Sequence, residues 1–237
     1  QAPMRVYWEI TRACGLACRH CRAEAATLRA KEELDTAEGF RLLEQLAAGD
    51  PKPHVVLTGG DPLERPDLFD LIAKGRSLGL GVSVSPSATP RLTREAIRDL
   101  KEAGVEAISL SIDGATAATH DGIRGVEGTF ARTLVAGEQA RELGLPFQVN
   151  TLVAEETLSE IPGIERLARQ IGAARWSLFF LVTVGRGVVL QPISPAACTE
   201  LLQWLAGRAT LPGMVVTTTE APHFRRIVAE SRLATPG

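Results

Sequence analysis

The sequence predicts an α/β fold, a parallel sheet covered by helices as in a β/α barrel. Three observations carry that expectation. Six strand-then-helix units follow one another along the chain. Their strands are rich in Val, Ile and Leu with little polar alternation, the pattern of a parallel sheet under helices. Gly79, Gly104, Gly144 and Gly172 each stand between a helix and the next strand, where a helix C-cap glycine belongs. A closed barrel and an open doubly wound sheet share these features. No G-x-G-x-x-G follows the first strand, so the dinucleotide-binding version of the open sheet lacks its fingerprint.

The elements read in order as follows. Arg5 to Thr11 (RVYWEIT) is a strand by its β-branched and aromatic content, and Thr36 to Ala47 has helical spacing with a Thr at its start. His54 to Thr58 (HVVLT) precedes a helix from about Pro66 to Leu78, and Gly81 to Ser85 precedes Thr93 to Ala103. Ala107 to Ile112 leads to Thr129 to Leu143, Phe147 to Val153 to Leu158 to Ile171, and Ser177 to Val184 to Ser194 to Leu205.

A chain of 237 residues is within the range of one compact domain or one barrel. Hydrophobic residues at 45% and charged residues at 23% exclude disordered, collagen-like and coiled-coil readings. A net charge of -2 leaves no excess of cations for a nucleic-acid backbone or an anionic lipid surface. Apolar stretches such as Trp176 to Val184 are too short to span a bilayer, and the first residues lack a basic-then-apolar signal pattern. Neither nucleic acid nor membrane is an expected partner, and the expected location is the cytoplasm.

In a β/α architecture reactive groups belong at the C-terminal ends of the strands. Polar and glycine residues gather there: Cys14 after the first strand, Gly59-Gly60-Asp61 after the second, Ser85 and Ser87 at the third, Ser111 and Asp113 at the fourth, Asn150 in the fifth and Gly185-Arg186-Gly187 after the sixth. Three of the four cysteines, Cys14, Cys18 and Cys21, stand as C-x3-C-x2-C. A reducing cytosol argues against disulfides and for metal. Three thiolates on one loop are one ligand short of a closed structural site, which leaves an open coordination position. Zinc, with His20 or a distant group as fourth ligand, is the alternative, but zinc sites usually pair C-x2-C elements and no second pair exists. Cys198, on a stretch with helical spacing, reads as a packing residue.

With these residues the sequence resembles the radical S-adenosylmethionine (SAM) superfamily, whose signature is C-x3-C-x2-C after the first strand of a partial (β/α)6 barrel. Gly59-Gly60-Asp61-Pro62 resembles the family's glycine-rich motif at the SAM amino group, with Asp61 where Glu is usual. Ser111-Ile112-Asp113-Gly114, followed by His120-Asp121 and Arg124-Gly125, is similar to the SPASM-type subgroup of anaerobic sulfatase-maturing enzymes and peptide maturases. Trp8-Glu9-Ile10-Thr11-Arg12 resembles the branch around haem b synthase and haem d1 biosynthesis.

The resemblance implies an oxidoreductase or maturase in which Cys14, Cys18 and Cys21 hold three irons of a [4Fe-4S] cluster. SAM then chelates the fourth iron and yields a 5'-deoxyadenosyl radical that takes hydrogen from substrate. It implies SAM contacts from His20, Gly59, Gly60, Asp61, Ser85, Ser87, Ser111, Asp113 and Asn150, with adenine against Leu181 to Val184. Arg124, or its rival Arg132, would hold the SAM carboxylate as a planar donor pair. A low-potential donor such as flavodoxin or ferredoxin is the implied partner. The expected substrate is a peptide or protein side chain, with a tetrapyrrole as alternative; few arginines besides Arg12, Arg22 and Arg186 lie near the rim to meet several carboxylates. A zinc-binding protein and an electron carrier are the non-enzyme alternatives. The chain lacks an initiator Met and the cysteine-rich C-terminal region of SPASM proteins, so residues 1–210 are expected to be a core and 211–237 the start of such a region.

Overall fold

The computed structural model describes residues 3–209 and 211–234. Seven strands, β1 (Arg5–Thr11), β2 (His54–Gly59), β3 (Gly81–Val84), β4 (Ala107–Ser111), β5 (Phe147–Val153), β6 (Arg175–Phe180) and β7 (Val215–Thr219), form one parallel sheet in sequence order. The order runs from β1 to β7 without closing, which makes a half-barrel. Helices α1 (Thr36–Ala47), α2 (Leu68–Ser77), α3 (Arg94–Glu102), α4 (Ala117–Arg124), α5 (Thr129–Leu143), α6 (Glu155–Leu158), α7 (Ile161–Ile171), α8 (Pro195–Ala209) and α9 (Phe224–Ala234) fill the connections.

The core is the layer between sheet and helices. Ile10, Leu57, Val84, Ile108, Val149 and Leu178 from the strands meet Leu43, Ile72, Ile97, Leu100 and Ile164 from the helices. Each such side chain, removed from water, contributes about 1.5–3 kcal/mol. Trp176 is fully buried; its indole N–H donates to Thr151 Oγ1 at 2.9 Å, and Trp204 meets it edge-on. The opposite face of the sheet is polar and lines a cavity, so the two faces have separate jobs. Among the described residues no helix is long and apolar enough to cross a membrane.

The sheet carries one strand more than the six the sequence shows by pattern. β7 pairs with β6 from Arg175 and Val215 to Phe179 and Thr219. Its sequence, VVTTT, is short and half polar, which hides it from a search for apolar runs. β6 ends at Phe180, so Leu181 to Val184, expected to continue the strand, leave the sheet for a short 3-10 turn at Gly185–Val189. Helix α4 was also unforeseen. Thr116 caps it by accepting from Thr119 N, and Gly125 ends it in the left-handed conformation at φ 70°. Of the glycines around this stretch, Gly125 is the helix's C-cap.

Within α4, His120 is fully buried and its Nδ1 accepts the Asp113 backbone N–H at 3.1 Å. Burial first, and the Arg124 charge next, push its imidazole down to about 4. Between roughly pH 6.5 and pH 4 the unfolded chain therefore binds a proton that the folded chain refuses. Stability is complete above this window and falls as pH is lowered through it, by up to about 3 kcal/mol from this group. Urea unfolding across the window is expected to show this loss, with a shallower slope for His120→Asn; equal slopes would refute the assignment.

Candidate active site

The cysteines lie on the long connection between β1 and α1. A long connection in a compact domain needs anchors, and here they come from distant elements. The Arg65 guanidinium, almost fully buried, donates to Ile10 O at 2.7 Å and Leu34 O at 2.9 Å. Glu33 accepts from Thr11 Oγ1, Arg12 N and Ala30 N. On one side Ala17 N donates to Arg124 O and Arg19 N to Ile123 O, tying the loop to α4. On the other, the turn after β6 reaches back: Arg186 donates from Nε to Cys18 O at 2.9 Å, from Nη1 to Ala25 O at 3.0 Å and from its backbone N to Cys21 O at 3.2 Å.

Gly59 and Gly60 let the end of β2 press against the root of this loop. Gly60 N donates to Thr11 O and Asp61 N to Ala13 O, both at 2.7 Å. A Cβ on Gly59 would collide with Thr11 O and one on Gly60 with Ala13 O, and Gly59 has φ 131°. The paired glycines are thus required by backbone contact as well as by any ligand.

Cys14, Cys18 and Cys21 come together with Leu16, Ala25 and Val126 in one small cluster separate from the main core. All are free thiols. Leu16 N–H points at Cys14 Sγ and Ala25 N–H at Cys21 Sγ, each at 3.4 Å, while Arg124 Nη1 lies 3.7 Å from Cys18 Sγ. Burial pushes the Cys14 thiol up, against the Ser87 hydroxyl and Leu16 N–H, so its ionisation is coupled to metal binding. Three thiols on one loop, grouped in one small cluster and lining one cavity, are one ligand short of a closed zinc site, so the donor set fits an iron-sulfur cluster with an open position better than one structural zinc ion.

The three sulfurs share a cavity of about 470 Å³ with His20, Gly59, Gly60, Ser87 and Arg124. A neighbouring chamber of about 220 Å³ adds Ser85, Ser111 and Asn150. A third, of about 160 Å³, brings His20, Asp113 and Leu181 beside Ser111 and Asn150. Arg124 and Phe179 border all three chambers. Residues from the ends of β1 to β6 thus converge, as the strand-end rule requires.

Three expected residues stand elsewhere or are committed. Asp61 is fully buried and accepts from Thr89 Oγ1 at 2.8 Å and from the backbone N–H of Ser87 and Leu63 at 3.2 Å, so its side chain orders the turn. Arg132 donates to Ala88 O, Glu127 O and Thr129 Oγ1 and borders none of the chambers. Val184 is exposed outside them. Trp8 faces the helices, against Gly39 and the Arg65 guanidinium, so its place in the sequence motif reflects packing. Cavity residues that the sequence reading passed over are Tyr7, Glu9 and Phe179. Tyr7 and Glu9 alternate with Trp8 and Ile10 along β1, and that period-two pattern was the available signal.

A buried charge pair organises the cavity wall. Asp113 Oδ2 lies 2.6 Å from Arg124 Nη2, and Asp113 Oδ1 accepts from Leu152 N at 2.7 Å. Burial opposes ionisation of Asp113, yet the Arg124 guanidinium holds its carboxyl below the usual range. Burial pushes the His20 imidazole down to about 4 against the pull of Asp113, with Arg124 and Arg186 adding to the effect.

An open β/α half-barrel with three thiols converging at its C-terminal rim, above a polar inner face, defines a class: a barrel core built around a metal cluster and a small polar cofactor. The chain belongs to the radical SAM superfamily, whose model matches residues 8–168, and members of that family work with a [4Fe-4S] cluster and SAM. An AdoMet-dependent heme synthase of Methanosarcina barkeri is 39% identical over 229 residues, 97% of this chain and 65% of that relative. A PqqA peptide cyclase of Gluconobacter oxydans is 35% identical over 174 residues, 73% of this chain and 48% of the relative. The crystal structure of Streptococcus suis SuiB bound to S-adenosylmethionine superposes with a TM-score of 0.80 at 16% identity, covering 96% of this chain and 53% of SuiB. The chain spans less than two thirds of each of these proteins.

Proposed function

We propose that this chain is the catalytic core of a radical SAM enzyme acting on a tetrapyrrole with carboxylate side chains. The observation that carries the substrate class is the cavity: an aromatic lining from Tyr7 and Phe179 opens to an edge with one exposed guanidinium, Arg22, so this rim supplies a contact for a single acidic arm. Arg22 is held by an exposed ion pair to Glu220, which is weak and exchangeable. A flat apolar ring with an acidic arm matches that surface. The 39% identity with a protein named a heme synthase supports it further.

Cys14, Cys18 and Cys21 would hold the cluster, and SAM would lie along the adjoining chambers against Gly59, Gly60, Ser85, Ser87, Ser111 and Asn150, with Leu181 at its apolar end. When bound, cluster and SAM supply a carbon-centred radical for hydrogen abstraction. This chain's own part is positional. The loop anchors hold the thiolates, the glycines admit a ligand to the backbone, and the aromatic lining keeps water from the reacting face. A low-potential donor such as flavodoxin or ferredoxin would supply electrons, and three free thiols suit a reducing cytoplasm.

A peptide side chain is the second reading, and the relative named PqqA peptide cyclase favours it. Anaerobic titration separates the two. An iron porphyrin bearing propionates is expected to bind tightly and to accelerate release of 5'-deoxyadenosine from SAM, with Arg22→Ala weakening it by about 1.5–3 kcal/mol for a charged hydrogen bond. Acceleration by peptides and not by the porphyrin would reverse the assignment.

A further inference from the structure

We infer that Arg124, braced by Asp113, sets the reduction potential of the cluster through the sulfur of Cys18. The inference rests on the reading of the three cysteines as cluster ligands. It gives Arg124 a task other than holding the carboxylate of SAM.

The three sulfurs are not equivalent. Cys14 and Cys21 accept from backbone N–H groups of their own loop. The Ser87 hydroxyl is 3.6 Å from Cys14 Sγ, but it is neutral and donates to Gly60 O at 3.1 Å. Cys18 alone among them has a full positive charge as donor, from a residue 106 positions away. Arg186, the other guanidinium at the loop, directs its paired donors to carbonyl oxygens.

Arg124 is held in this pose from behind. Its Nη2 meets Asp113 Oδ2 at 2.6 Å, and Asp113 is fixed by Leu152 N. Arg124 is largely buried and Asp113 almost wholly so, with side-chain exposures of 12% and 2%. In such surroundings charge is screened less than it is in water. The pair is a fixed dipole with its positive end on Cys18 Sγ. Hydrogen bonds and charge at a ligating sulfur are among the levers by which a protein tunes an iron-sulfur centre. A reduced cluster carries one more negative charge than the oxidised one, so the positive end stabilises the reduced form and raises the potential. Asp113 moderates that effect.

The signs make the test. Protein reconstituted anaerobically with iron and sulfide is titrated with dithionite through mediator dyes, without SAM, and followed by absorbance and electron paramagnetic resonance. Arg124→Gln is expected to move the potential to more negative values by at least a tenfold change in the reduction equilibrium, about 59 mV for one electron. Asp113→Asn, which frees the guanidinium of its counter-charge, moves it the other way. Arg124→Lys, which keeps the charge, stays near the wild type. Because either single change leaves a buried charge unpaired, the Arg124→Gln/Asp113→Asn double variant provides a neutral pair whose potential still lies below the wild type.

An unchanged potential in the SAM-free Arg124→Gln protein would overturn the inference, and if SAM affinity alone fell, Arg124 would be a carboxylate ligand instead. Shifts of the same sign in Arg124→Gln and Asp113→Asn would also overturn it, since a general disturbance of the loop has no sign rule. A wild-type protein that takes up no cluster would overturn the reading of the cysteines themselves.

Discussion

Replacing Cys14, Cys18 and Cys21 together by Ala is expected to abolish iron binding, while Cys198→Ala leaves it intact. The three thiols line one cavity and close one small packing cluster, and no other side chain of that group carries a sulfur. Cys198 sits on α8, within 4.0 Å of His223 Nε2 and away from the loop. The loop itself is held by backbone contacts and by Arg65, Glu33 and Arg186, none of which needs the thiols. The triple variant is therefore expected to keep its far-ultraviolet circular dichroism. Iron and acid-labile sulfide measured after anaerobic reconstitution check the result. Iron retained in the triple variant would sink the cluster assignment.

Gly60→Val is the second substitution with a large expected cost. Its Cβ would meet the backbone at Ala13 and Arg12, which cannot move without dragging the cysteine loop, because Asp61 N–H is bonded to Ala13 O. Overpacking of this kind costs about 1–3 kcal/mol, and loss of the hydrogen bond adds about 1 kcal/mol. Unfolding in urea and cluster yield are expected to fall together. Gly122→Ala is the control: nothing lies within 4 Å of a Cβ there, at an exposed position of α4, so it is expected to raise stability by up to about 1 kcal/mol. A Gly60→Val protein as stable as the wild type would remove the close-contact explanation of the paired glycines.

Much of this was legible from residue order. The alternation of strands and helices, the glycines at helix ends and the C-x3-C-x2-C spacing are local patterns, and local sterics and hydrogen bonding enforce them. The helix-end glycines adopt positive φ, from 66° at Gly144 to 88° at Gly104 and Gly172. Where the sequence misled, a non-local partner made the difference. β7 is β-branched throughout and pairs with the edge that β6 offers, but its three threonines break the apolar run by which the other strands are recognised. α4 forms between glycines because Thr116 and Gly125 cap it and the β4 end receives His120.

The site divides along the same line. Sequence alone determined that three thiols follow the first strand and that Gly59, Ser85, Ser111 and Asn150 reach one rim, because a parallel sheet in sequence order places successive strand ends side by side. Only the tertiary structure decided what each polar side chain faces. Asp61, Arg132 and Arg124 look alike in sequence, as polar residues after strand ends. Asp61 turns to Thr89, Arg132 to the Ala88 carbonyl, and Arg124 to Asp113 and Cys18. A buried polar group takes whatever partner the fold brings within about 3 Å, since leaving it unpaired costs more than any local preference can return.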